Sequence, residues 1–252
     1  MSSNLLISWP DIVSAASAYD LPPSATYFEE SQVYGGDRTR RYKSSSAATS
    51  RAWSFDLGSG ASLEPDHVIV GRFKNTLARD SGTTSIRVKG SSASNFASGY
   101  NNSANVSSLT GPESQDYMRS LSPGAAYRYW LVQTETTDSV IHEVGKIHLG
   151  RWLNLGRDPL YSSRVSRGPL GAFSRRTALA FELRYEGISD SARDSLQENV
   201  LSRSENPIFL YDSSDDRALL GVELLHCRVV RTRHNSRAIN NNSLTVLVEE
   251  VI

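Results

Sequence analysis

The stretch YRYWLVQTETTDSVIHEVGKIHLG, Tyr127 to Gly150, decides how this chain is read. It carries two of the five histidines, the first followed directly by a glutamate. It is therefore either a metal-ligating box or a pair of strands that happen to hold histidines. An H-E-x-x-H box needs its histidines four apart on a helix, so that both imidazoles share a face with the glutamate nearby. Here His142 and His148 are six apart, in a β-branched segment that alternates with period two. On a strand rising about 3.3 Å per residue they would stand roughly 20 Å apart, too far to share one ion. The stretch thus predicts two strands, YRYWLVQTE and VIHEVGKIHLG, with turn chemistry at TTDS between them. Alternation puts Glu143 with Ile141 and Ile147, and puts His142 and His148 opposite with Val144 and Lys146, solvent-facing or loosely packed. No metal and no other cofactor is expected.

Working outward, most of the chain reads the same way. RAWSFDLGSG alternates Trp53, Phe55 and Leu57 with small or polar residues before a glycine turn. DHVIVGRF is a nearly continuous apolar run, as in a strand covered on both faces, and TSIRVKGSS alternates Ile86 and Val88 with Arg87 and Lys89. The segment from Ser91 to Ser114 is long, polar and rich in small residues, and is expected to be a surface loop. Arg151 to Gly171, rich in arginine, glycine and proline, is expected to be an irregular linker or arm. Beyond it RTALAFELRYEG, PIFLY, ALLGVELLHCRVVRT and SLTVLVEEV read as strands, the last two joined by the polar connection RHNSRAINNN. ISDSARDSLQENVLSRSEN reads as a helix capped by Ser189 or Asp190, with Leu196 and Val200 as an i, i+4 pair. The expected class is mainly β: a sandwich over 1–150, a linker over 151–171, and a β-rich part with one helix over 172–252.

Composition narrows the function. With 252 residues the chain buries enough surface to fold without a staple. Lysine plus arginine equals aspartate plus glutamate at 27 each, a balance that argues against a nucleic-acid partner. Arginine supplies most of the positive charge, which suits contact surfaces, although a GC-rich codon bias gives the same pattern. Cys227 is the only cysteine, so an intramolecular disulfide and a multi-thiolate zinc site are both excluded. Its apolar surroundings predict a buried thiol acting as a small hydrophobe. The start of the chain lacks a basic n-region, and no run approaches the ~20 apolar residues of a membrane helix. A soluble protein made in a cytoplasm is expected, with no glycosylation meaning for the sequons at Asn101, Asn105 and Asn241.

Chemical motifs are weak. DLGSGAS around Ser59 lacks a strand-to-helix nucleophile elbow and reads as a strand-terminating turn. VGKIHLG has a Gly-Lys pair without a phosphate-binding loop. DSSDD near Asp215 lacks the spacing of a calcium loop and reads as a solvated turn. Paired carboxylates for glycoside hydrolysis would need partners distant in the chain, and nothing singles out a pair. One cluster rises above the rest. YGGDRTRRYK, Tyr34 to Lys43, brings two tyrosines together with Arg38, Arg40 and Arg41, residue types that anchor interfaces and sugar-binding surfaces. A solvated loop is the bland alternative.

The order WSFDLG, HVIVGRF, SIRVKGSS and then YRYWLVQTETTDSVIHEVGKIHLG resembles the discoidin, or galactose-binding-like, jelly roll over about residues 1 to 150. The sequence departs from sugar-binding members in lacking their bracketing cysteine pair and an obvious loop-tip aromatic triad. The whole chain resembles tailed-bacteriophage virion proteins that join such a sandwich to a second β-rich part. That resemblance implies a non-enzymatic structural component of the tail, baseplate or fibre-attachment region. It would be assembled in the host cytoplasm and act through symmetric contacts with copies of itself and other virion proteins. The interface candidates are Tyr34, Arg38, Arg40, Arg41, Arg151, Trp152, Arg164 and Arg167. Two alternatives stay open. A carbohydrate-binding module for host surface glycans would gather exposed aromatic and polar groups at one end of the sandwich. A hydrolase would need two acids in a deep cleft.

Overall fold

The computed structural model of the 252-residue chain describes residues 5–9, 18–20, 42–75, 84–105, 115–156, 158–159, 161–169, 177–199, 208–212, 224–238 and 241–250. Its elements run β1 (Leu5–Trp9), β2 (Ala18–Asp20), β3 (Tyr42–Lys43), β4 (Ala48–Asp56), β5 (His67–Asn75), β6 (Thr84–Ser91), β7 (Tyr100–Asn105) and β8 (Gln115–Ser120). There follow β9 (Tyr129–Val140), β10 (His142–Val144), β11 (Lys146–Leu153), β12 (Tyr161–Pro169) and β13 (Thr177–Ile188). Last come the helix α1 (Asp190–Asn199), β14 (Ile208–Asp212), β15 (Leu224–Ala238) and β16 (Asn241–Glu250). The chain is mainly β, as its alternation predicts, and it folds as two compact units.

Asp11–Arg151 forms an antiparallel β-sandwich. One sheet is five-stranded in the order β2-β4-β9-β6-β7. In the facing sheet β5 lies between β8 on one side and β10 and β11 on the other, and β3 adds to β10. Alternate residues point inward, so Trp53 and Phe55 of β4, Ile86 and Val88 of β6, and Trp130 and Val132 of β9 meet Val68, Val70, Ile147 and Leu149. Each such buried side chain contributes about 1.5–3 kcal/mol, which is why the period-two pattern sets the strand faces. Tyr42 closes the core edge-on to Trp53, with ring centroids 5.4 Å apart.

The second unit gathers Met1–Pro10 with Trp152–Ile252, so the sandwich is an insertion within it. This moves the expected boundary at residue 1. β1 pairs with β14, Leu5 opposite Asp212, and the Leu5 N–H donates to Asp158 Oδ1 at 2.9 Å. LLIS is apolar enough to belong to either core, and a partner more than 200 positions away cannot be read from local pattern. β13, β15 and β16 supply Phe181, Leu183, Tyr185, Val229, Leu244, Val246 and Val248 to this unit's core, joined by Leu196 of α1. Cys227 is buried in the same core. The helix begins where Ser189 Oγ accepts the Ala192 N–H at 3.1 Å, an N-cap that satisfies one orphan donor. Val200 lies outside the described residues.

Several local readings are corrected. TTDS is not a turn, because β9 continues through it to Val140, with a register irregularity against Ala48 and Ser50. The loop expected over Ser91–Ser114 contains β7, which polar side chains do not prevent from pairing with β6 at an exposed position. Most of RHNSRAINNN belongs to the β15–β16 hairpin. The arm expected over Arg151–Gly171 contains β12, aligned with β13 so that Arg164 stands opposite Phe181. In each case a neighbouring strand satisfies the backbone, which outweighs weak local propensity.

Candidate functional site

The opening histidines are resolved by the sandwich. Both are buried rather than solvent-facing, and they lie on opposite faces of their sheet. The alternation changes phase at Gly145, whose N–H donates to the Gly71 carbonyl at 2.9 Å. Val144 therefore faces the core, as do Ile147 and Leu149. The register of β5 against β8 is irregular at the same level, between Val70 and Phe73. His142 points between the sheets. Its Nδ1 lies 2.9 Å from Thr134 Oγ1, and its Nε2 lies 3.0 Å from the Ala48 carbonyl. A carbonyl can only accept, so Nε2 carries the proton and Nδ1 accepts from Thr134. Burial pushes the His142 pKa down, the Ala48 hydrogen bond opposes this, and the nearby Arg51 cation adds to it. His148 instead stacks on His67 with centroids 5.4 Å apart, and Asp66 Oδ1 lies 2.7 Å from His67 Nδ1. These imidazoles hold strands in place.

A different group of residues collects at the end of the sandwich where β4 leaves and β9 enters. The connections 57–66, 92–99 and 121–128 lie at this end, since Asp56 pairs with Tyr129, Ser91 with Tyr129, and His67 with Ser120. Arg128 Nε and Nη2 donate to the two carboxylate oxygens of Asp56 at 2.6 and 2.8 Å. This fork, with a further N–H from Gly58, holds the Asp56 carboxyl below its usual range, and the pairing raises Arg128. The same guanidinium lies over the Tyr129 ring, 4.8 Å from its centroid. Asp56, Arg128 and Tyr129 are all partly exposed. Asp56 and Tyr129 alternate with inward-facing Phe55 and Trp130, so they belong to the outer face of the five-stranded sheet.

Register extends that face. Opposite Leu131 stands Lys89, and opposite Lys89 stands exposed Asn101. The next level sets Gln133 beside Arg87, and the one after sets Glu135 beside Ser85. Arg87 Nη2 reaches Glu135 Oε2 at 3.1 Å, and Ser85 Oγ donates to the same oxygen at 3.2 Å.

Two glycines let the adjoining loop pack closely against the sheet. A Cβ on Gly99 would meet the Gly90 carbonyl oxygen at 2.2 Å, and its φ of +119° disfavours a side chain in any case. A Cβ on Gly90 would meet Tyr127 Cδ2 at 2.7 Å and the Trp130 ring at 2.8 Å. Close approach here lets 92–99 fold back, with Phe96 in the left-handed region at φ 51°. Tyr127 and Tyr100, both half-buried, flank buried Trp130 at 5.8 and 6.3 Å. The Trp130 indole donates to the Tyr127 carbonyl at 3.1 Å.

Of the residues singled out from sequence, Tyr34, Arg38, Arg40, Arg41 and Asp215 lie outside the described residues. Arg151 is exposed. Trp152 is half-buried and stacks within its own unit on Tyr211, with centroids 5.5 Å apart. Arg164 and Arg167 fall on β12, the outermost described strand of its sheet. Ser59 sits in an exposed turn, closed by the Ala61 N–H donating to the Gly58 carbonyl at 3.2 Å. Among the described residues no group of three or more His, Cys, Asp or Glu is placed to hold a metal ion. Arg128, Tyr129 and Asp56 were not singled out, although YRYW and FDLG carry them. The usable signal, for Asp56 and Tyr129, was that each is the polar member of an alternating pair beside a core aromatic.

No family model matches the chain, and no curated protein does. Among solved structures it is similar to a chitosan-binding module from a chitosanase/glucanase of Paenibacillus sp. IK-5. That match has 15% identity and a TM-score of 0.39, and covers 56% of this chain and 98% of that one. It is also similar to the lectin domain of lectinolysin complexed with Lewis B antigen, with 11% identity, a TM-score of 0.42, and 56% and 96% covered. A Streptococcus pneumoniae fucose binding module aligns with 14% identity, a TM-score of 0.41, and 56% and 95% covered.

Proposed function

We propose that the chain is a non-catalytic recognition protein whose inserted sandwich binds carbohydrate on the outer face around Tyr129. The observation that carries this reading is the Arg128–Tyr129–Asp56 stack. It is a partly exposed aromatic ring fixed by a guanidinium that is itself held in a two-point ion pair. A sugar ring offers an apolar C–H face and a rim of hydroxyls. A tyrosine already immobilised takes the apolar face with little further loss of entropy. The polar neighbours Asn101 and Lys89 are placed to meet hydroxyls at the rim. Sugar modules of this kind work at modest affinity and gain strength from repetition.

The test is a glycan array with the full chain, followed by titration calorimetry on the saccharides retained. Tyr129→Ala should weaken binding about tenfold, or ~1.4 kcal/mol. An array on which nothing is retained, or a Tyr129→Ala variant that binds as well as the parent, would sink the idea.

A second reading, a tailed-phage virion component, rests on the order of segments in the sequence. One unit would make repeated contacts with copies of itself and with other virion proteins, while the other is displayed. Arg151, Arg164 and Arg167 remain its described interface candidates. Light scattering with negative-stain imaging checks it. A ring or defined oligomer supports it, and a strict monomer that is absent from purified particles removes it.

A further inference from the structure

We infer that the saccharide held at this face is acidic, its carboxylate or sulfate taken by Lys89. The inference rests on the carbohydrate reading of the site and follows from which cations of the face are already paired. Around β4, β9 and β6 this face carries Asp56, Arg128, Arg87, Glu135 and Lys89, while Asp20 of the edge strand β2 stands opposite Ser54. Arg128 is closed on Asp56 through two hydrogen bonds, at 2.6 and 2.8 Å. Arg87 is closed on Glu135 at 3.1 Å, and Ser85 occupies the same carboxylate oxygen. The charge of each of these cations is already met by a carboxylate, so an anionic ligand would gain little from it. Lys89 has no ion-pair partner among the described residues, so it is the one cation of β6 and β9 on this face that no carboxylate holds.

Its position makes that charge usable. Lys89 stands directly opposite Leu131, two residues along β9 from Tyr129, and therefore diagonal to the ring. Diagonal neighbours on one face lie about 7–8 Å apart, within reach of a long side chain. An ammonium on a flexible stem can meet an anionic group on a sugar that rests against Tyr129. A neutral sugar would offer it only a hydroxyl, whereas a carboxylate or sulfate adds an opposite full charge to the hydrogen bond. Asn101, exposed opposite Lys89 on β7, supplies a neutral amide to the same spot.

The experiment is calorimetry on the full chain with three probes of equal length: an oligogalacturonate, a sulfated heparin-type oligosaccharide, and a neutral chito-oligosaccharide. Each is titrated into the parent chain, Lys89→Gln and Lys89→Arg, at low and high salt. The expected result is at least one acidic probe bound about tenfold more tightly than the neutral one. Lys89→Gln and high salt should abolish that margin, and Lys89→Arg should keep most of it. The carboxylate and sulfate arms identify which anion is preferred. Equal or tighter binding of the neutral probe, unchanged by Lys89→Gln, overturns the acidic inference and leaves carbohydrate binding standing. Binding of none of the three, together with an empty glycan array, overturns both. Lys89 lies on a partly exposed sheet face, so circular dichroism of Lys89→Gln should match the parent.

Discussion

His142 should make the sandwich acid-sensitive, and the size of the effect can be worked from its surroundings. The ring is fully buried, donates from Nε2 to the Ala48 carbonyl at 3.0 Å, and accepts at Nδ1 from Thr134 at 2.9 Å. Protonation would put a second donor on Nδ1 and force the Thr134 hydroxyl to turn away, towards the Arg51 carbonyl 3.5 Å off. It would also place two cations near each other, since Arg51 already opposes the charged ring. Burial is the main cause of the lowered pKa, and the unfolded imidazole titrates near its ordinary 6.5. The sign follows. Above pH 6.5 neither state is protonated and the contribution is fully present. As pH falls below 6.5 the unfolded chain takes a proton that the folded one refuses, and stability is lost until pH passes the folded pKa. The loss reaches at most about 1.4 kcal/mol per pH unit. His142→Gln keeps a neutral donor and acceptor on a similar scaffold, and should cost about 1 kcal/mol at pH 7.5 through poorer hydrogen bonds. The assay is urea denaturation from pH 7.5 down to 5, with hydrogen exchange on peptides spanning Tyr129–Val144 so that the sandwich is read apart from the other unit. The gap between parent and His142→Gln should narrow as pH falls. Parallel pH profiles for the two proteins would refute the reasoning.

Two further outcomes follow from the backbone. Gly99→Ala should cost upwards of about 2 kcal/mol, because it combines left-side φ strain of roughly 1–3 kcal/mol with a Cβ driven into the Gly90 carbonyl; faster exchange at 92–99 with intact β9 would confirm it, and an unchanged rate would count against it. Ser189→Ala should remove about 1 kcal/mol from the second unit through loss of the α1 cap, and Ser189→Asp should restore it; thermal unfolding of the three proteins decides.

The candidate site was legible only in parts. FDLG and YRYW announced strands, because Trp53, Phe55, Trp130 and Val132 alternate with polar residues and only one face of each strand can be buried. That Asp56 and Arg128 meet across 72 positions was not visible, since the two strand ends come together only when β4 pairs with β9. The sequence reading favoured arginine-rich loops, where residue type stands out locally. The described stack instead uses ordinary residues made unusual by register. Lys89 shows the same point: by composition it is one more surface lysine, and its meaning comes from the ion pairs that its neighbours make with one another.

The sequence by itself determined what depends on local period and on residue types counted over the whole chain. It set the β class, most strand positions, the helix with Ser189 or Asp190 as its cap, the absence of an intramolecular disulfide, and the rejection of a zinc box at His142 and His148. Only the tertiary structure decided what depends on partners far along the chain. It assigned β1 to the second unit through β14 and turned an expected arm into β12. It also set His142 and His148 on opposite faces by a change of phase at Gly145. The physical reason is common to all three. A strand's side-chain period is two, so a single slip at a glycine reverses every face beyond it, and a strand's backbone bonds are made with whichever neighbour the fold supplies.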